Sequence, residues 1–244
     1  MNILLTNDDG IAATGINVLF DLFSEKHCVY VVAPSAERSG CSNAITVHTS
    51  IPLHELAPGK FAADAYTADC VNIGINGDIL PDIDLVISGI NHGPNLGDDV
   101  HFSGTVAGAR SAVIFGKPGI AISLDCLDRS DNFTDAGNFL LSFIELNVHD
   151  IASHRMFYNI NYPDIPLDQV KGVKYTTLGR RSYCDTFRVI EENDSMMRLQ
   201  MEGTIQSEMN SGTDTCELHN GYISVTPLLL DCTDKNYLKN GVKK

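Results

Sequence analysis

The sequence predicts an α/β fold: a Rossmann-like, doubly wound, mostly parallel sheet followed by a β-rich C-terminal extension. Two observations carry the sheet. Short apolar runs with strand character recur at residues 3–6, 29–33, 84–88 and 119–123, and helical periodicity fills intervals between them. Strand–helix–strand order calls for parallel pairing through right-handed crossovers. The third observation is a change of pattern after residue 150, where helical stretches give way to irregular strands and turns.

Taken in order, residues 3–6 (Ile-Leu-Leu-Thr) form a buried run that stops abruptly at Asn7-Asp8-Asp9-Gly10. From about 16 to 26, Val18, Leu19, Leu22 and Phe23 fall on one side of a helix. Residues 29–33 (Val-Tyr-Val-Val-Ala) make a second buried strand, ended by Pro34, and 84–88 (Asp-Leu-Val-Ile-Ser) a third. A polar, glycine-rich stretch over 89–104 leads into a helix of small residues over 105–115, and 119–123 follows as a fourth strand. Over 132–147, Phe133, Ala136, Leu140, Phe143 and Ile144 share a helical face. Residues 157–161 extend the sheet, and 222–226 is the clearest strand of the remainder. No repeat, low-complexity tract or linker divides the chain. It reads as one domain over 1–244, with an α/β core over 1–150 and an extension over 151–244 that serves partner contact.

Composition narrows the function classes. With 244 residues and 43% hydrophobic side chains, a full core forms without disulfide staples. The seven cysteines are scattered and odd in number, with no C-x-x-C pair, against both a structural zinc site and a secreted disulfide framework. Seventeen Lys and Arg face 31 Asp and Glu, a formal charge of −14, so a nucleic-acid polymer is repelled. A small anion is still accommodated where a cation stands between it and the carboxylates. Met1-Asn2-Ile3-Leu4-Leu5 carries no basic flank and is too short for a signal peptide or a membrane span, which reads as a cytoplasmic protein without a membrane partner.

Ligands of doubly wound sheets bind beyond the carboxyl ends of the strands. Three polar, glycine-containing loops fall there: Asn7 to Gly10, Ser35 to Asn43, and Ser88 to Thr105. At a strand end, with Gly10 allowing a tight turn, Asp8 and Asp9 can converge, and converging carboxylates need a cation or a proton between them. Asn-Asp-Asp-Gly is equally good turn chemistry with an aspartate helix cap, and both readings stand. The third loop, Ser88-Gly89-Ile90-Asn91-His92-Gly93-Pro94-Asn95-Leu96-Gly97-Asp98-Asp99, has little bulk and many polar groups, which suits close approach to an anion. Ser103-Gly104-Thr105 then opens a helix whose N-terminus favours negative charge; a capped helix after an ordinary loop fits as well.

Asp, Ser and Asn offer oxygen ligands only, which suits Mg²⁺ or Mn²⁺ and not zinc. His92 and His101 lack a partner at H-E-x-x-H spacing and read as loop or substrate-shaping residues. Asp98 and Asp99 read as loop-stabilising carboxylates. No G-x-G-x-x-G follows the first strand, and neither G-x-x-x-x-G-K-[ST] nor G-x-S-x-G occurs.

These residues resemble the stationary-phase survival protein SurE family of nucleotidases. The resemblance rests on Ile3-Leu4-Leu5-Thr6-Asn7-Asp8-Asp9-Gly10, on Val32-Ala33-Pro34 leading to Arg38-Ser39-Gly40, and on Ser88-Gly89-Ile90-Asn91 through Asn95-Leu96-Gly97. Asp99-Val100-His101-Phe102-Ser103-Gly104-Thr105-Val106 completes the third block, with weaker echoes at 159–163 and 221–228. It implies hydrolysis of nucleoside 5′- and 3′-monophosphates, and in some members of short polyphosphate, at one divalent metal ion per subunit, Mg²⁺ or Mn²⁺. It further implies metal ligation by Asp8, Asp9, Ser39 and Asn91, with Asn43, Asn95, Ser103, Gly104 and Thr105 at the phosphate end. Backbone N–H groups near Gly40 join that set, and Asp8 or Asp9 assists the chemistry. A homodimer or homotetramer, built by exchange of C-terminal segments, is the implied assembly. Two segments depart from the family pattern, Ala65-Tyr66-Thr67 and Met196 to Gly203.

Two other readings compete. An aspartyl-phosphate mechanism would place nucleophile and acid two residues apart, whereas Asp8 is followed by Asp9-Gly10. A metal- and nucleotide-binding stress-response module without turnover would use the same cradle and release no phosphate.

Overall fold

The computed structural model describes residues 1–126, 130–153, 156–193 and 195–240. Strands β1 (Asn2–Thr6), β2 (Cys28–Pro34), β3 (Leu53–Ala57), β4 (Lys60–Ala63), β5 (Leu85–His92), β6 (Gly119–Asp125), β7 (Met156–Pro163) and β8 (Val173–Tyr175) alternate with helices α1 (Thr14–Ser24), α2 (Thr67–Asn76), α3 (Gly104–Ile114) and α4 (Phe133–Ser153). Among the described residues these eight strands and a later one, β13 (Ile223–Leu229), form a nine-stranded sheet in the order β3-β4-β2-β1-β5-β6-β7-β13-β8. The six strands from β4 to β7 are parallel throughout, and antiparallel pairs occur only where β3 meets β4 and β13 meets β7. The expected doubly wound, mostly parallel sheet is therefore present.

Both faces are covered, which is why β1 and β6 are buried along nearly their whole length instead of alternating. One face packs under α1 and α4, with Leu19, Phe23, Leu140 and Ile144 in the larger core cluster. The other carries α2 and α3, with Val32, Val71, Val86 and Ala112 in a second cluster. Helix α3 is made of small residues because it lies close to the sheet. A β-carbon on Gly108 would stand 2.5 Å from Ser88 Oγ, and one on Gly119 of β6 would stand 2.2 Å from Ala109 O of α3.

The main sheet does not end at residue 150: β7, β13 and β8 continue it. What stands apart from it is a long hairpin in two pieces. Its base pairs β9 (Arg181–Tyr183) with β12 (Ile205–Ser207), and its tip pairs β10 (Thr186–Asn193) with β11 (Met196–Glu202). Helix α5 (Asp214–His219) returns the chain to β13. No helix among the described residues is long and apolar enough to cross a membrane.

The sheet topology decides where a site can form. From β1 the chain steps to one side, through β2 to β4, and then crosses to the other side at β5. The carboxyl ends of β1 and β5 thus flank the switch point, where the diverging connections leave a crevice. Asp8 and Asp9 follow β1, and Asn91 lies at the end of β5, beyond a register shift between Ser88 and Asn91.

Candidate active site

The turn after β1 is held from three directions. Gly10 takes a φ of 96°, which the chain needs to fold back at once, and Asn7 Nδ2 donates to Gly10 O at 2.9 Å. The Arg38 N–H donates to Asp8 O at 2.7 Å, which ties the second loop to the first. From below, Thr67 Oγ1 at the start of α2 donates to Asn7 O at 3.0 Å. Asp69 accepts from the Tyr66 N–H at 3.1 Å and from the Thr46 N–H and hydroxyl at 2.9 and 2.8 Å. The divergent Ala65-Tyr66-Thr67 segment is therefore a support under the site loops.

Asp8 is almost fully buried and meets the N-terminus of α3. The Thr105 hydroxyl donates to its carboxylate, and the N–H groups of Gly104 and Thr105 lie close enough to favour its charged form. Gly104 makes this approach possible, since a β-carbon there would lie 2.7 Å from Asp8 Oδ2. Gly104 and Thr105 line neither of the two clefts that meet at the carboxylates and lie against Asp8, the acidic group at the helix N-terminus. Burial raises the Asp8 carboxyl above the usual aspartate range, against these contacts.

Asp9, next on the same turn, lines a different cleft from Asp8. It accepts from the His92 N–H at 3.1 Å, and burial, reinforced by the charge of Asp8, pushes it up to about 6. A divalent cation beside the two carboxylates would offset the cost of burying their charge. Asn91 Nδ2 donates to Gly93 O at 2.7 Å, so the amide oxygen is the end that could accept or ligate. Ser39 is more exposed, and its hydroxyl donates to Glu37 at 3.1 Å. Among the described residues no three His, Cys, Asp or Glu side chains form a metal-holding group by themselves. The set here is two carboxylates completed by neutral oxygens, and that donor chemistry fits a hard divalent cation.

The strain on Asp9 has a measurable consequence for the metal-free protein. Between the ordinary aspartate pKa and about 6 the native state holds a proton that the unfolded state has lost. Stability therefore falls as pH rises through this window and stays lower above it. Asp9→Asn removes the penalty, so in EDTA it is expected to stabilise the protein by roughly 1–3 kcal/mol at pH 8 and by little at pH 4. Urea unfolding of both proteins at the two pH values checks this.

Two clefts meet at the carboxylates, and His92 lines both. One, of about 680 Å³, lies on the Asp9 side with Glu37, Asp131 and Phe133 in its walls. The other, of about 540 Å³, is lined by the buried Asp8, Asn95 and Ser103, with Ser39, Gly40 and Asn91 also in its walls. Ser103 caps α3, its hydroxyl accepting from the Val106 N–H at 3.0 Å. Asn95 is fixed by a buried network: its N–H donates to Asn161 Oδ1 at 2.8 Å, its amide to Ser123 Oγ at 2.9 Å, and its carbonyl accepts from Asn159 and Asn161. Asn43 is not brought in. Its amide donates to Ser111 Oγ on α3 at 3.3 Å, and it lines neither cleft.

The outer wall of the second cleft was not read from the sequence. It consists of Phe102, Arg181, Tyr183 and Ile205, three of them from the hairpin base. Asp99 latches that base to the site: Arg181 and the Tyr183 hydroxyl both donate to its carboxylate, and the Arg181 N–H donates to Asp98 at 3.0 Å. The reading of Asp98 and Asp99 as loop-stabilising residues agrees with these bonds. Asp214 adds a second tie, accepting from the Gly97 and Gly179 N–H groups at 2.9 and 2.7 Å. His101 contributes its backbone, its carbonyl accepting from Ser42 Oγ at 2.6 Å.

The family model described as Survival protein SurE matches residues 3–185, which include every predicted ligand position. The chain belongs to the SurE family. Curated SurE relatives cover it almost end to end. A protein named 5'-nucleotidase SurE from Pseudoalteromonas atlantica is 38% identical over 98% of this chain and 97% of its own length. Another of that name from Kosmotoga olearia is 39% identical over 98% and 96%. A solved structure titled as the SurE protein from Aquifex aeolicus superimposes with a TM-score of 0.85 at 32% identity, covering 98% of both chains. The SurE fold, extra C-terminal strands included, is thus that of this chain.

Proposed function

We propose that the protein is a divalent-metal-dependent phosphomonoesterase that hydrolyses nucleoside 5′- and 3′-monophosphates, with short polyphosphate as a further substrate. The observation that carries the reading is that Asp8 and Asn91, from the ends of β1 and β5 at the switch point, line one substrate-sized cleft, with Asp9 next to Asp8 in the chain. Relatives sharing more than a third of their residues with this chain are named 5'-nucleotidases, which supports the same substrate class.

Asp8, Asp9, Ser39 and Asn91 would hold one Mg²⁺ or Mn²⁺, which when bound supplies a Lewis acid for a phosphoryl oxygen and lowers the pKa of water. The remaining work belongs to the chain. Thr105 and Gly104 hold the Asp8 carboxylate in one orientation, and the His92 N–H does the same for Asp9. Asn95, Ser103 and Gly40 line the second cleft, where they orient the phosphate and stabilise charge on it. Asn43 braces the second loop against α3. The chain carries 31 acidic residues against 17 basic ones, so a cation is what lets an anionic substrate approach.

Assembly as a homodimer or homotetramer through the hairpin tip belongs to the same proposal. Phe187, Val189, Leu199 and Met201 are all exposed on β10 and β11, an apolar area that suits a second copy. A cytoplasmic location fits the composition and the absence of a spanning helix among the described residues.

The test is inorganic phosphate release from nucleoside 5′- and 3′-monophosphates. EDTA is expected to reduce it to background, and Mn²⁺ or Mg²⁺ to restore it. Folded protein that releases no phosphate with any metal and nucleotide would overturn the reading, and tight nucleotide binding without release would put the binding module in its place.

A further inference from the structure

We infer that Phe102 is the platform on which the nucleobase stacks, and that Ile205 of the hairpin base lies along the same ligand. This rests on the nucleotidase reading and deepens it by giving the nucleoside a place. Phe102 is 60% exposed, unusual for a phenylalanine beside buried Asp99 and Ser103. Ile205 is 51% exposed, and both side chains line the cleft that Asp8 and Ser103 also line. A nucleobase is separated from its phosphate by one ribose. Phe102 and the helix cap Ser103 line the same cleft, so a ligand with its phosphate near Ser103 shares that cleft with the ring.

The platform is built to stay in place. Phe102 N–H and Ser103 N–H both donate to Asp99 O, at 2.9 and 3.0 Å, while the Ser42 N–H donates to Phe102 O at 2.8 Å. The Asp99 carboxylate meanwhile grips Tyr183, the cross-strand partner of Ile205. One residue thus ties the apolar rim, the hairpin base and the phosphate end together. A cleft of about 540 Å³ is of the size that holds a nucleotide. The neighbouring cleft suits the base less well as an extension of an anion, because Asp9, Glu37 and Asp131 face it.

Stacking tolerates any base, since every base offers a π-face, and it strengthens with ring area. The structure therefore assigns the protein broad base tolerance with purines bound more tightly than pyrimidines. The test compares wild type, Phe102→Ala and Phe102→Tyr in two measurements. In calorimetry with Mn²⁺ and a non-hydrolysable methylenephosphonate analogue of AMP, Phe102→Ala is expected to weaken binding about tenfold or more, the size of one base–aromatic stack, and Phe102→Tyr to restore it. Binding of inorganic phosphate should be the same in all three.

In phosphate release, Phe102→Ala is expected to raise KM for AMP and GMP by a similar factor, with kcat little changed and glycerol 2-phosphate hydrolysed as by wild type. Equal losses on nucleotide and glycerol phosphate, or no loss on either, would overturn the stacking role. Wild type that binds the analogue through Phe102 and releases no phosphate would leave the platform standing and remove the nucleotidase reading. Wild type that does not bind the analogue would overturn both.

Discussion

Asp8→Asn is expected to lower metal-dependent phosphate release by well over a hundredfold while the protein stays folded. The substitution preserves side-chain size, and the amide oxygen can still accept from the Thr105 hydroxyl beside the N-terminal N–H groups of α3. What it removes is one of the two carboxylates of the proposed cation site. Loss of an outer-shell partner of a metal ligand typically costs about 10–100-fold, and loss of a charged ligand costs more. The measurement pairs phosphate release under excess Mn²⁺ with urea unfolding in EDTA. Activity within about tenfold of wild type would remove Asp8 from the ligand set.

Gly104→Ala is expected to damage both stability and activity, although the position is helical and its backbone is unstrained. Helix propensity alone predicts the opposite, a gain of up to about 1 kcal/mol. Here the new β-carbon would fall 2.7 Å from Asp8 Oδ2 and 2.8 Å from Asp8 Cβ. Asp8 cannot retreat freely, because its backbone carbonyl is held by the Arg38 N–H and its neighbour Asn7 by Thr67. Either the carboxylate rotates away from the cation or the N-terminus of α3 lifts off the sheet. Overpacking of this kind costs about 1–3 kcal/mol. Phosphate release should fall by at least about tenfold, since even small misplacement at a reacting centre is costly. A urea midpoint at or above wild type, with activity retained, would contradict the close approach of Gly104 to Asp8.

Sequence legibility followed burial. β1, β2, β5 and β6 are apolar runs between polar breaks, so their positions were read to within a few residues; the longest miss was β5, read as ending at Ser88 and running on to His92. That overrun carries Asn91 to the site. β3, β4 and α2 were missed because Leu53–Ala57 is an exposed edge strand with no clean alternation and α2 is short and mixed. The three loops were picked out as polar, glycine-rich breaks after strands, and Asp8 and Asn91 line one cleft at the switch point.

Other parts of the site depend on contacts that local pattern cannot carry. Arg181 and Tyr183 reach the cleft through bonds to Asp99, 82 and 84 residues earlier, and Ile205 through its pairing with Tyr183. Their strands are too exposed to leave a periodic signal. The burial of Asn95 among Asn159, Asn161 and Ser123 is likewise tertiary, and so is the turn of Asn43 towards Ser111. The approach of Asp8 to Gly104 and Thr105 has a simple physical source. A helix N-terminus favours any anion, and the nearest one is the protein's own Asp8.

The central claim is that Asp8 and Asp9 together form a cation site. Titration of the metal-free protein with Mn²⁺, following the electron paramagnetic resonance signal of the free ion, tests it without reference to turnover. One ion bound per chain in wild type, with binding lost in both Asp8→Asn and Asp9→Asn, is the predicted result. Undiminished stoichiometric binding in either variant, or none in wild type, would contradict it.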